Sequence, residues 1–151
     1  MLRDDINNAL KEAMKAKSER TVSTLRMVNA TLKNADIEAR GAAKPALGDA
    51  DVLSILQKMI KQRQESVELY RKGGRDDLVK QEQQEIDIIA GYLPRQMSED
   101  EMKAAIASVI KDAGAASVKD MGRVMAALKE RYAGKMDFAK AGGLVKSQLG
   151  S

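Results

Sequence analysis

Apolar residues recur every three or four positions along most of this 151-residue chain, and the recurrence is interrupted at a few glycines and prolines. In the first periodic stretch, Leu2, Ile6, Ala9, Leu10, Ala13 and Met14 fall on one face. A second, from about Glu19 to Arg40, carries Thr21, Leu25, Val28, Leu32, Ala35 and Ala39 at similar spacing. Asp49 is placed to cap a third, whose seam runs Val52, Ile55, Leu56, Met59 and Ile60, then Val67 and Tyr70. Gly73 and Gly74 break it, and a fourth carries Leu78, Val79, Ile86, Ile89 and Ala90 before Gly91. These are 3.6-residue periods, so each stretch predicts an amphipathic helix. Short turns between them predict antiparallel neighbours, hence an N-terminal helical hairpin or bundle. The polar runs KQRQES and KQEQQE read as solvated helix faces supported by (i, i+4) pairs.

Pro94 closes this half, and the boundary is placed at about residue 95, giving units 1–94 and 95–151. Beyond it, Ser98 followed by Glu101 forms a capping box that opens a helix carrying Met102, Ala105, Ile106, Val109 and Ile110. Gly114 stops that helix, and Ser117 with Asp120 caps the next. Asp137 is placed to cap the last, with Phe138, Ala141, Leu144, Val145 and Leu149 inward. Gly142 and Gly143 inside that pattern lower helix propensity by about 1 kcal/mol each relative to Ala, which predicts a short or kinked helix. The expectation is an all-α chain: the N-terminal hairpin or bundle, then a small C-terminal three-helix module.

Composition sharpens this in three ways. Aromatic residues are only 3% of the chain, which argues against a β-sheet core. Nine Met suggest a core packed by thin, adaptable side chains. Cys and His are both absent, which removes thiolate chemistry, Cys/His zinc sites and Ser-His triads from this chain alone. No side chain then has an ordinary pKa near neutrality, so acid–base chemistry would need a strongly shifted group. No metal or organic cofactor is implied. The N-terminal MLRDDINNAL lacks the apolar segment of a secretory signal, and no apolar run approaches the roughly 20 residues of a membrane span. A cytoplasmic monomer without membrane contact is the expectation. The net charge of +4 is uneven: eight basic against four acidic residues from Lys111 onward, sixteen against fifteen from Met1 to Pro94. An anionic partner therefore suits the C-terminal third best.

Within that third, GAASVKDMGRVMAALKERYAGK is the most informative segment. Placed on one helix from Val118 to Arg131, its Met121, Val124, Met125 and Leu128 converge on an apolar stripe. Lys119 and Arg123 project from consecutive turns opposite, Lys129 flanks them, and Gly134 with Lys135 forms a turn beyond. Gly122 is the odd residue, since glycine in a helix costs about 1 kcal/mol against Ala. Two readings stay open for it: close packing of a neighbouring helix, or close approach of a bulky ligand. On the second helix, Arg26 and Asn34 lie eight residues apart on roughly one side, and packing in a buried polar network is preferred over a partner surface.

The same segment resembles the signature of the GatB/YqeY family, close to GA-x-S-x-KDMGKVM followed by a GKAD-type turn. STLRMVNATLKNADIE, LQKMIKQRQESVELY, GGRDDLVKQEQQEIDII and YLPRQMSEDEM also resemble recurring pieces of its standalone members, in order and over nearly the whole chain. The resemblance carries over Lys119, Asp120, Met121, Gly122, Arg123, Val124, Met125, Gly134 and Lys135. Arg123 stands where lysine is also usual. MDFAKAGG departs from the usual continuation, which weakens the extension to Lys140 and Lys146. What the resemblance implies is a C-terminal module similar to the tail of the B subunit of the glutamyl/aspartyl-tRNA amidotransferase. That enzyme is a carbon–nitrogen ligase with glutamine as amido donor, and its tail contacts tRNA away from the catalytic parts.

Three classes of function follow. The first is a tRNA-associated accessory protein binding tRNA or tRNA-like structured RNA through Lys119, Gly122, Arg123, Lys129, Gly134, Lys135, Lys140 and Lys146. Without aromatics on the basic helix, base stacking is disfavoured and phosphate contacts would dominate. The second, an enzyme, lacks its parts: there is no GxxxxGK[ST] loop, no cysteine nucleophile and no serine in a recognisable serine–lysine amidase setting. The third is a helical adaptor that docks on an aminoacyl-tRNA synthetase, an amidotransferase or a ribosomal partner without binding RNA.

Overall fold

A computed structural model describes residues 1–150. All secondary structure among them is helical: α1 (Leu2–Lys15), α2 (Glu19–Gly41), α3 (Asp49–Lys72), α4 (Asp76–Ala90), α5 (Glu99–Ala113), α6 (Met121–Arg131) and α7 (Phe138–Gln148), with a 3₁₀ turn at Val118–Asp120. The chain divides into two compact units, Met1–Leu93 and Pro94–Ser151.

In the first unit the predicted seams point inward. Ile6 of α1, Leu25, Val28 and Leu32 of α2, Val52, Leu56 and Met59 of α3 and Ile89 of α4 form one buried cluster. Each such side chain contributes about 1.5–3 kcal/mol by leaving water, so this contiguous apolar stripe, not local propensity, holds the helices. The cap of α3 differs from expectation. Gly48, not Asp49, is the N-cap, and the Asp51 carboxylate reaches back to accept from the Gly48 N–H at 2.9 Å.

The two polar runs read as solvated each hide one charge. Arg63 and Glu85 are buried, and Arg63 Nε donates to Glu85 Oε2 at 3.2 Å. The remaining guanidinium N–H groups reach the Met59 carbonyl and the Met27 sulfur. Arg20 lies 3.7 Å from the other Glu85 oxygen. The position of Arg63 explains its burial: it continues the Leu56–Met59 seam toward Val67, so the helix period drives it inward whatever its charge. Arg26 and Asn34 fare oppositely. Both are exposed, so they form no buried polar network.

In the second unit α5, α6 and α7 each pack against the other two. Their core includes Met102, Ile106 and Val109 of α5, Val124 and Leu128 of α6, Ala141 and Val145 of α7, and Met136 from the connecting loop. The capping signals form as the sequence suggests. Ser98 accepts from the Glu101 N–H while Glu101 accepts from the Ser98 N–H. Gly114 ends α5 in the left-handed region at φ +63, a conformation that favours glycine. Asp137 accepts from the N–H groups of Ala139 and Lys140. α7 runs through Gly142 and Gly143 as one continuous helix of 11 residues.

The α5 cap carries a pH prediction. The Arg95 guanidinium, then the Ser98 N–H and hydroxyl, hold the Glu101 carboxyl down to about 2 from its ordinary 4.5. A depressed acid stabilises the fold fully above its unfolded pKa and loses that contribution as pH falls through the folded one. The α5 start is therefore expected to fray between pH 4.5 and 2. NMR titration of the Glu101 carboxyl should place its midpoint near the lower figure, and a midpoint near 4.5 would show that neither the Arg95 pair nor the cap holds the carboxylate.

Candidate nucleic-acid interface

The informative segment begins with a tight turn, not with the first turn of a single α-helix. Val118–Asp120 is 3₁₀ and α6 starts only at Met121. Ser117 and Asp120 cause this. The Asp120 carboxylate accepts from the N–H groups of Ala116 at 2.9 Å and Ser117 at 3.4 Å, and the Ser117 hydroxyl accepts from Lys119 N–H at 3.3 Å. The Ala116 and Ser117 donors, with Arg123 behind them, hold the Asp120 carboxyl below the usual carboxylate range. Asp120 is thus a cap, as its spacing from Ser117 suggests.

Lys119, in the 3₁₀ turn, and Arg123, in the first turn of α6, are both exposed, and among the described residues Arg123 is paired, to Asp120 at 3.1 Å, whereas Lys119 is not. Lys129 is exposed in the last turn of α6. Lys140, in the first turn of α7, lies 3.6 Å from Glu99, and Lys146 is exposed in its last turn. Among the described residues Lys119, Lys129, Lys135 and Lys146 stand in no ion pair, whereas Arg123 and Lys140 do. A pair between exposed side chains is weak, about 0–1 kcal/mol, so neither paired cation is lost to an incoming anion. The predicted residues are spread over both ends of α6, the corner after it and both ends of α7.

Gly122 resolves one of its two readings. A Cβ built there meets nothing within 4 Å, so no neighbouring helix of this chain requires the glycine. Gly142 is different, since a Cβ there would touch the Met121 methyl at 3.7 Å, an ordinary contact between α7 and α6. With free space around it, Gly122→Ala should stabilise the fold by about 0.5 kcal/mol, less than the helix-interior figure because the site lies in the first turn. A denaturant midpoint that falls instead would reveal packing at this position.

Gly134 is buried with φ +77, and Lys135 is exposed beside it. Gln96 and Met97, which sequence reasoning passed over, hold this corner. Gln96 Nε2 donates to the Gly134 carbonyl at 2.6 Å, and the Met97 N–H donates to the Lys135 carbonyl at 2.8 Å. No local pattern links positions 38 residues apart, so only the fold reveals the contact. No group of three or more side chains able to hold a metal occurs among the described residues, and no helix is long and apolar enough to cross a membrane.

Against known proteins, the Yqey-like protein pattern matches residues 3–149. The chain is 34% identical over 128 residues to "Altered inheritance of mitochondria protein 41, mitochondrial" of Pyrenophora tritici-repentis, covering 81% of this chain and 68% of that protein. It is 42% identical over 84 residues to the protein of the same name from Eremothecium gossypii, and 34% identical over 110 residues to that of Lachancea thermotolerans. Those matches cover 56% and 72% of this chain but only 44% and 57% of the relatives, so the chain spans about half the length of both. All three are named as mitochondrial, which overturns the cytoplasmic expectation. The expectation rested on a missing apolar segment. That test separates secretory signals and membrane spans, whereas mitochondrial leaders are amphipathic and escape it.

Proposed function

We propose that this chain, which belongs to the Yqey-like protein family, is an accessory protein that binds tRNA or a similarly folded RNA through its C-terminal unit. The observation that carries this reading is that Lys119, Lys129, Lys135 and Lys146 are exposed and, among the described residues, in no ion pair, in the same three-helix unit as a Gly122 that has no internal packing role. Phosphates recognise such a surface by charge. The absence of a side chain at Gly122 lets a backbone come close between flanking cations. In this reading residues 95–151 form the gripping three-helix module, and residues 1–94 form a helical hairpin or bundle that serves as spacer or docking element. The amidotransferase association enters as help to a tRNA-handling enzyme, with no catalysis assigned to this chain.

Filter binding of total tRNA to the whole chain across a salt series tests it. Those four lysines and Arg123 would make about five phosphate contacts, so log affinity should fall against log salt with a slope of roughly −4 to −5. Affinity that stays constant from low to moderate salt would sink the proposal. A second reading, protein docking by the N-terminal unit, is favoured by a separate observation. The large apolar side chains standing exposed among the described residues (Met1, Met14, Met27, Ile37 and Leu69) all lie there. Copurification of a synthetase or amidotransferase with no RNA in the eluate would favour that reading.

A further inference from the structure

We infer that Gln96 is a positioning residue for Lys135, holding that lysine ready for a phosphate of the RNA backbone; the inference rests on the RNA reading above. The corner between α6 and α7 is fastened from several directions. Gly134 and Met136 are buried on either side of the exposed Lys135. The Gly134 carbonyl accepts from Gln96 Nε2, the Lys135 carbonyl accepts from the Met97 N–H, and the Lys135 N–H donates to the Tyr132 carbonyl at 3.0 Å. Gln96 also donates from Nε2 to the Pro94 carbonyl at 2.9 Å, so one amide group ties two carbonyls together.

The Lys135 side chain is what this corner presents to solvent. A lysine arm is flexible, and an anion that binds it must order both the arm and its backbone. Fixing the backbone beforehand removes part of that cost, as preorganisation does in any binding site. The chemistry at position 96 is specific. The primary amide supplies two N–H donors toward carbonyl oxygens, which leucine lacks and a glutamate carboxylate would repel.

The experiment uses the whole chain, total tRNA as probe, and the variants Gln96→Leu, Gln96→Glu and Lys135→Ala, alone and combined. Lys135→Ala should reduce the steepness of the salt dependence by about one contact. Both Gln96 variants should do the same and weaken binding by about tenfold, the loss of one charge-assisted contact. Combined with Lys135→Ala, they should weaken binding no further. A residue that merely supports the fold would lower the melting temperature, leave the salt slope alone and add to Lys135→Ala. If the Gln96 variants keep the parental slope while Lys135→Ala loses a contact, or if Lys135→Ala itself changes nothing, the inference is overturned and the RNA reading survives. A parent chain that binds no tRNA overturns both. Should a Gln96 variant lose its helical circular dichroism, the parent still decides: the Met97 N–H must exchange slowly with solvent, and exchange at the rate of a free amide rejects the strap.

Discussion

Glu85→Ala is expected to destabilise the N-terminal unit by about 3–5 kcal/mol, the cost of leaving a buried charge without its partner. Arg63 is only 8% exposed and Glu85 only 6%, so water cannot replace the lost carboxylate without opening the interface between α3 and α4. What Arg63 retains is the Met59 carbonyl and the Met27 thioether, and a thioether is a weak acceptor. Arg20 loses its ion-pair partner in the same step. The paired replacement Arg63→Met with Glu85→Leu should recover most of the loss, because removing both charges also removes both desolvation penalties. Urea unfolding followed by circular dichroism measures both variants. A Glu85→Ala midpoint indistinguishable from that of the parent would mean that the pair is open to solvent.

The second large effect concerns binding. Lys119→Ala combined with Arg123→Ala should lower tRNA affinity by about a hundredfold, two charge-assisted contacts at roughly tenfold each, and flatten the salt dependence by about two contacts. The fold should be nearly untouched. Both side chains are exposed, and the pair lost with Arg123 is a surface (i, i+3) contact worth at most about 1 kcal/mol. Asp120 keeps its two backbone donors, so the turn before α6 stays capped. Unchanged affinity with unchanged helicity would place the RNA contact elsewhere or nowhere.

Helices were legible wherever apolar period and capping chemistry agreed. Ser98 with Glu101, the left-handed Gly114 and Asp137 are all local devices, written within a few residues of the turn they make. Reading failed where a residue type argued against its position. Arg63 and Glu85 look solvated by type, yet they occupy inward positions on α3 and α4 and face one another across 22 residues. At Asp49 the type suited a cap, but Asp51 supplied the bond. The candidate interface was legible as a list of cations and not as an arrangement. Arg131 is paired with Asp112 on α5 and Lys140 with Glu99 at the start of α5. Which lysines stay free therefore depends on carboxylates that are distant in sequence. The glycine at 122 was visible, and its lack of a packing partner was not.

Asp120 makes one further property follow. Its Oδ2 is occupied by backbone N–H groups while Oδ1 alone holds Arg123. An arginine that swings from this carboxylate to an outside anion exchanges one ionic partner for another and leaves the turn intact behind it. Capture and release at this point then involve no local unfolding, so such a contact can turn over quickly.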